Sequence, residues 1–455
     1  MNEKEEKLGH LPIRTLMIQM AIPSVIAQVI NILYSIVDRI YIGHIPGVGA
    51  NALTGVGLTF PIITFISAFS AFVGAGGAPL AAIWLGKKDH ERAEKILGNS
   101  VFLLSFFTVI LMIVFYLYQK PMLYLFGASD ATIGYATTYI SIYLVGTLFV
   151  ELALGLNPYI ISQGQSQIAM YSVLIGAMIN TILDPIFIFG FGLGVKGAAW
   201  ATVIAQGASA IWVVGYLTSR KSNLRIKRGY IKPDKQVVKS ICVLGISPFV
   251  MRATESLISI VLNHGLQQYG GDLYVGSLTI MQSVMQFFSA PLGGFTQGIQ
   301  PIISYNYGSG QFDRVKETYR KMIGMAFGFS FVTTLLTLII PKLFATCFTK
   351  DIALIELVGD KMPIFMFGML IFGLQMGIQP TFLALGQAKI SLFIAMLRKV
   401  ILLVPLAIIL PRFWGVDGIY YAEPISDVLS AAVATLLFIF QIKKILSKES
   451  LERIQ

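Results

Sequence analysis

The chain has 455 residues, of which 55% are hydrophobic and only 13% charged, with a mean hydropathy of +0.74 and a formal net charge of +11. Soluble domains carry roughly 25% charged residues, so this composition excludes a soluble protein with a single anchor and fits an all-α membrane protein. The two cysteines, Cys242 and Cys347, belong to no C-x-x-C or Cys/His spacing, which gives no reason to expect a disulfide or a structural metal.

Apolar runs long enough to cross a bilayer, about 20 residues each, recur twelve times. They cover 15–42, 52–84, 97–118, 136–161, 168–191, 198–219, 241–264, 274–306, 321–341, 362–385, 390–410 and 418–442. Residues 1–14 mix acids with bases and lack the pattern of a cleaved signal peptide, so they read as a retained N-terminal tail. In the first span, Ser24, Gln28, Asn31, Ser35 and Asp38 follow one another at spacings of four, three, four and three, with Val, Ile, Leu and Ala between them. On a helix they form one stripe, which must face protein or trapped water, because lipid would leave each group unsatisfied. Pro23 in the same helix cannot donate to the Gln19 carbonyl, so a bend is expected there.

Spans two and eight are long and contain GAGGAP (Gly74 to Pro79) and PLGGFTQGIQP (Pro291 to Pro301), which read either as interruptions of moving elements or as close packing sites. Span four carries Glu151 without a nearby base in sequence. An isolated acid at that depth attracts a cationic ligand, exchanges a proton, or bonds a neighbouring hydroxyl. On span five Asn180 and Asp184 share a face, and Pro185 frees the Thr181 carbonyl, a second expected bend. Thr202 returns to similar depth on span six after the hairpin GFGLGVKG. Two carboxylates, an amide and a hydroxyl suit a proton relay or a hard cation such as sodium; helix-to-helix hydrogen bonding is the alternative.

Between spans six and seven, Arg220 to Lys239 is strongly basic. With both termini on one side, and with Arg39 and Lys321 at span ends assigned to the nearer side, 24 of the 34 Lys and Arg lie on the terminus side, against seven near the other side and three inside spans. Positive residues mark the cytoplasmic face, so the basic cluster reads as a cytoplasmic linker and no nucleic-acid partner is expected. The expected organisation is a tail over 1–14, a first lobe over 15–219, the linker over 220–240, a second lobe over 241–442 and a cytoplasmic tail over 443–455.

Span seven repeats the polar stripe with Arg252, Glu255, Ser259 and Asn263, where Arg252 either neutralises Glu255 or leaves it free. Spans eight and ten bring Met281, Gln282, Met285, Gln286, Phe287, Phe288, Met362, Met366, Met369, Gln375, Met376 and Gln379, an adaptable surface for apolar ligands or plain packing. Arg398 and Lys399 in span eleven are expected to snorkel or pair.

Laid over itself with an offset of 221 to 225 residues, the chain repeats. Ala21-Ile22-Pro23 meets Ile246-Ser247-Pro248, Pro79 and Gly86 meet Pro301 and Gly308, and Gly164-Gln165 meets Gly386-Gln387. Gly194-Val195-Lys196-Gly197 meets Gly415-Val416-Asp417-Gly418. Two six-helix bundles in the same orientation, related by an axis along the membrane normal, are the architecture of a rocking transporter rather than a channel. No phosphate loop, H-E-x-x-H or G-x-S-x-G is present, so nothing points to an enzyme, and transport would draw on an ion gradient without a cofactor.

Pro23 with VDRIYIG (Val37 to Gly43), ALTGVGLTFP (Ala52 to Pro61), ISQGQ (Ile161 to Gln165) and NTILDP (Asn180 to Pro185) resemble the multidrug and toxic compound extrusion (MATE) family, nearest its MepA-like and DinF-like bacterial branch. The resemblance covers roughly residues 10 to 445. It implies secondary active export of cationic amphipathic compounds in exchange for protons or sodium, with a coupling site at positions matching Asp38, Asn180, Asp184 and Thr202. It further implies a drug-recognition role for Glu151, and a second-half acid approximated by Glu255, with no acid in span ten beyond Asp360. Gln28, Asn31, Ser35, Glu255, Met281, Gln282, Met285 and Phe288 are the further expected substrate contacts. A monomer in the cell membrane is expected. The alternative is a flippase for a lipid-linked saccharide, which would line its cavity with Arg and Lys to hold a pyrophosphate.

Overall fold

The computed structural model describes residues 3–447; the end of the expected C-terminal tail and the first two residues lie outside them. The described residues are helical throughout, with no strand among them. A short helix α1 (Glu3–His10) precedes α2 (Ile13–Gly43), α3 (Gly49–Gly57) and α4 (Phe60–Gly86). Next come α5 (His90–Leu125), α6 (Ile133–Val145), α7 (Thr147–Ser162), α8 (Ser166–Pro185), which continues as a π-helical turn (Ile186–Gly190), and α9 (Val195–Thr218). The second half follows as α10 (Lys235–Gly270), α11 (Asp272–Gly308), α12 (Phe312–Ile339), α13 (Pro341–Thr346), α14 (Ile352–Met366) and α15 (Met369–Ala384). It ends with α16 (Ala388–Met396), a π-helical stretch (Leu397–Leu403), α17 (Val404–Ile409), α18 (Pro411–Trp414) and α19 (Val416–Ile445).

With α3 and α4, α6 and α7, α14 and α15, and α16 through α18 each counted as one crossing, these make twelve spans in two six-helix bundles. The crossing formed by α11 is the more polar one, because Gln282, Gln286, Gln297 and Gln300 lie along it. Several helices outrun the apolar runs: α5 and α10 extend through charged turns capped by Asp89, whose Oδ1 accepts from Arg92 N at 3.0 Å, and Asp234, which accepts from Gln236 N at 2.9 Å.

The repeat recurs as backbone geometry. Gly194 and Gly415 adopt φ of 55° and 56° with ψ of −131° and −139°, and Gly164 and Gly386 adopt φ of 80° and 71°, conformations that L side chains resist. Spans four and ten each bend, by 60° between α6 and α7 and by 46° between α14 and α15. The bends fall at Gly146 and Gly368, which the repeat superposes. A Cβ on Gly146 would meet Val203 Cγ2 at 2.7 Å, and one on Gly368 would meet Pro424 Cα at 2.7 Å, again equivalent partners. Of the two readings of the glycines in spans two and eight, packing is the one seen: span two breaks at Leu58–Thr59, ahead of its glycine cluster, and span eight is continuous. Helices α4 and α11 run unbroken through their glycines, which serve packing.

Those glycines join the bundles. A Cβ on Gly76 of α4 would meet Ile241 O of α10 at 2.6 Å, and its repeat counterpart Gly298 of α11 would meet Met20 O of α2 at 2.6 Å. Near the far ends of α4 and α11, Gly86 packs on Tyr305 and Gly308 on Ile83 with no room for a methyl group on either. These backbone crossings all lie in the half of the molecule nearer the chain termini. Helix α1 adds to the same side: Leu8 is buried beside Gly164 of the first bundle, while its carbonyl accepts from Asn306 Nδ2 (3.0 Å) and Arg314 Nη2 (3.1 Å) of the second. What the sequence presents as a tail is thus partly a docked element.

The linker is strapped to the first bundle. Gln163 Oε1 accepts from Ser222 Oγ, Asn223 N and Leu224 N at 3.0, 2.8 and 3.1 Å, and Asn99 Oδ1 accepts from Asp234 N at 2.8 Å. Lys227 pairs with Glu94 at 2.5 Å, a hydrogen bond that raises the lysine's pKa.

Candidate functional site

Helix α2 sorts its faces as its sequence pattern demands. Ile18, Ile22, Ile26, Val29, Leu33, Ile36 and Ile40 form the exposed apolar side, whereas Ser24 is buried and Gln28, Asn31, Ser35 and Asp38 are at least partly covered. Ser24 Oγ donates to Met20 O at 3.0 Å and Ser35 Oγ to Asn31 O at 2.9 Å, so both hydroxyls are spent on the helix itself. Gln28 reaches across to the second bundle, where its Nε2 donates to Gln297 Oε1 at 3.4 Å. The helix is continuous through Pro23.

At the end of this stripe the carboxyls of Asp38 and Asp184 lie within hydrogen-bonding reach of each other. Asn180 Nδ2 donates to Asp184 Oδ1 at 3.2 Å, the one-turn spacing that the sequence predicts. Pro185 ends α8 one residue later, and the π-helical turn beyond it displaces the backbone at the site. Asp38 Oδ1 and Asp184 Oδ2 are buried without a hydrogen-bond partner. Thr202 is close but less direct: its hydroxyl donates to Ala198 O at 3.0 Å and faces Tyr139 Oη at 3.5 Å, with no hydrogen bond to either acid.

Sequence reasoning passed over the tyrosines and the glutamine that complete this pocket. The Tyr34 hydroxyl interacts with both acids and lies within reach of Gln206. Tyr139 and Tyr143 stack with ring centroids 6.4 Å apart, and Tyr143 is near both Tyr34 and Glu151. Tyr34 sits one residue off the polar stripe, and aromatic residues in apolar spans carry no periodic signal of their own. Gln206, one turn after Thr202, was legible by the same i, i+4 rule that linked Asn180 to Asp184.

Glu151 lies five residues past the Gly146 bend, 0% exposed. The Ser70 hydroxyl lies within reach of its carboxyl without a well-aligned hydrogen bond, and Thr147 Oγ1 one turn earlier is buried without a partner. A buried carboxyl without partners stays neutral or waits for a cation. Glu151, Tyr143, Tyr34, Asp38 and Asp184 thus lie in one neighbourhood inside the first bundle.

The second bundle is filled differently. Glu255 pairs with Lys399 at 3.4 Å, and no ion pair between Glu255 and Arg252 occurs among the described residues. Arg398 Nε donates to Asp427 Oδ1 at 2.6 Å and its Nη2 to Glu423 Oε1 at 3.1 Å, so both bases of span eleven pair, as expected. Glu423 and Asp427 on α19 went unnoticed because Pro424 and a short polar run mask them within an apolar span. Met281, expected at a ligand surface, is fully buried in the core of this bundle together with Met362, Met366 and Met369. Methionine packs there as a gap filler. Gln282, Met285 and Phe288 remain partly covered beside it, Phe288 edge-on to Phe344 at 5.8 Å.

Over 456 residues the chain is 25% identical to the multidrug export protein MepA of Staphylococcus aureus (strain MRSA252), covering 99% of this chain and 100% of that protein. It is 24% identical to the multidrug export protein MepA of Staphylococcus saprophyticus, covering 96% of each. Among solved structures it is similar to a multidrug resistance MATE family transporter of the MOP superfamily in the outward-facing conformation, with a TM-score of 0.91, 21% identity, and coverage of 98% of this chain and 100% of that one. The family model described as MatE matches residues 23–186 and 249–409, one stretch in each bundle and each containing the bent span at its Gly146 or Gly368, so the chain belongs to the MatE family.

Proposed function

We propose that this protein exports cationic, amphipathic organic compounds across the cell membrane by antiport with protons or sodium. The two bundles touch at the glycine crossings when the terminus side is closed and part there to open the space between them, so that it opens alternately to each side. The observation that carries this reading is the group of acids in the first bundle, in which Asp38, Asp184 and Glu151 hold buried oxygens without partners. Two carboxyls in reach of each other in a dry site share a proton. When both ionise they need a cation, and Asn180 beside them supplies a neutral oxygen of the kind a hard cation takes. Proton and sodium therefore compete for one pocket at Asp38, Asn180 and Asp184, with Thr202 closing it through Tyr139. Glu151, near Tyr143, is the charge to which a cationic substrate is drawn. Full-length similarity to proteins named multidrug export protein supports the substrate class. The distribution of Lys and Arg supports cytoplasmic termini, and the chain acts as a monomer whose lipid-facing surface is the apolar side of helices such as α2.

The test is efflux from proteoliposomes with proton and sodium gradients imposed separately across pH. A sodium gradient is expected to drive efflux at high pH, where the carboxyls are ionised, and Asn180→Leu is expected to remove that component. If sodium drives nothing at high pH and Asn180→Leu leaves proton-driven efflux intact, the sodium half of the proposal is wrong.

A further inference from the structure

Glu255 of the second bundle is a half-exposed acid within a membrane span, and it is already engaged by a base. On α10, Val243 and Ile246 belong to the exposed apolar side together with Leu257 and Ile260. Arg252 and Glu255 each lie nine residues beyond Val243 and Ile246, about two and a half turns and therefore on the opposite face. Glu255 has 60% of its side chain exposed there, facing away from the lipid side. Lys399 approaches it from within the bundle: its side chain is 7% exposed, its Nζ donates to Met251 O at 2.6 Å, and it reaches only Oε1 of Glu255, at 3.4 Å. The direct ion pairs of the neighbouring acids go to Arg398, which engages Glu423 and Asp427 from the same π-helical stretch, while Glu255 is the acid that Lys399 contacts directly. The ammonium is thus fixed to a backbone carbonyl, and its partner acid keeps an open side.

We propose that Lys399 sets the charge selectivity of the second bundle's wall: it is a tethered counter-ion that neutralises Glu255 and so leaves recognition of organic cations to the first bundle. Lys399 acts through Glu255 and does not itself touch substrate. Removing the ammonium turns Glu255 into a second subsite for an organic cation. This rests on the reading of the protein as a carrier of cationic compounds, and the test measures binding by purified full-length protein so that the two can fail separately.

The probes are tetraphenylphosphonium, a permanent cation, and triphenylphosphine oxide, a neutral molecule of similar bulk, titrated calorimetrically into wild-type protein, Lys399→Met, Glu255→Gln and the double variant. Lys399→Met is expected to bind tetraphenylphosphonium about tenfold more tightly than wild type, in keeping with an unscreened charge in a partly wet cavity, and triphenylphosphine oxide within about twofold. In the Glu255→Gln background the same substitution is expected to change neither affinity, and Lys399→Arg should retain wild-type values. Where Lys399→Met does not give monodisperse protein, Lys399→Gln, which can keep the bond to Met251 O, carries the same expectation. Equal gains for both probes, a gain that survives Glu255→Gln, or no gain at all would each overturn the inference. If wild type binds neither probe but Lys399→Met acquires tetraphenylphosphonium binding, the counter-ion role stands and the export reading loses its support.

Discussion

A methyl group added at Gly86 tests whether the glycine crossings hold the terminus-side half of the molecule closed. In Gly86→Ala the new Cβ would lie 2.9 Å from Ser309 N and closer still to Tyr305 O, both of them backbone atoms that cannot turn aside. A relaxed carbon-to-oxygen contact is about 3.3 Å or more, so α4 and α11 must part by on the order of 1 Å. Overpacking of this kind costs about 1 to 3 kcal/mol. The cost falls on the arrangement in which the bundles touch at this end and vanishes when they separate. It therefore shifts the equilibrium towards opening on the terminus side by roughly 5- to 150-fold. The assay is pulsed electron resonance between spin labels at Lys95 of α5 and Lys316 of α12, two exposed positions on opposite bundles, after Cys242 and Cys347 are replaced by Ser. Gly86→Ala, and by symmetry Gly308→Ala, are expected to populate a longer distance. Gly293→Ala is the control, because a Cβ there meets nothing within 4 Å. A distance distribution that is the same in all three folded variants would refute the idea that these crossings form the closing surface.

Two further predictions address the acids of the first bundle. Asp38→Asn is expected to insert and fold normally yet lose gradient-driven efflux of a cationic dye, since an amide cannot alternate between proton and cation; normal efflux by that variant would remove Asp38 from the coupling. Glu151→Gln should weaken export of cationic compounds by about tenfold, the scale of one lost ion pair in a cavity, while sparing neutral ones. Parallel losses for both classes in a transport assay would assign Glu151 to the fold.

The spans, the repeat and the polar stripe of α2 were legible because bilayer crossing imposes length and faces on the sequence. The backbone glycines were legible too, since Gly194 and Gly415 must adopt a conformation that side chains resist. The bends at Gly146 and Gly368 were not. A single glycine in an apolar helix carries the same local signal whether it kinks or packs, and the clustered glycines of α4 and α11 drew attention although those helices stay straight enough to remain continuous. At the site, Asn180 and Asp184 were predicted as a unit because they belong to one helix. The pairing of Glu255 with Lys399 depends on how α10 meets the π-helical stretch 144 residues later, which no spacing rule reaches.

The comparison of the bundles explains why both kinds of charge can be buried in one protein. Their backbones follow the same plan, down to equivalent bends and equivalent turns, but the positions that face each bundle's interior carry different chemistry. Glu151 of the first bundle has Gly373 as its repeat counterpart, while Thr202 and Gln206 have Glu423 and Asp427 as theirs. In the second bundle those acids hold Arg398, a cation that cannot leave because it is part of the chain. In the first bundle Asp38, Asp184 and Glu151 keep open oxygens and form no ion pair among the described residues. Breaking a buried pair by removing one partner costs about 3 to 5 kcal/mol, so Arg398 and its two acids depend on one another for burial. The asymmetry leaves one bundle with buried acids that no base of the chain pairs among the described residues and the other with acids held by Arg398.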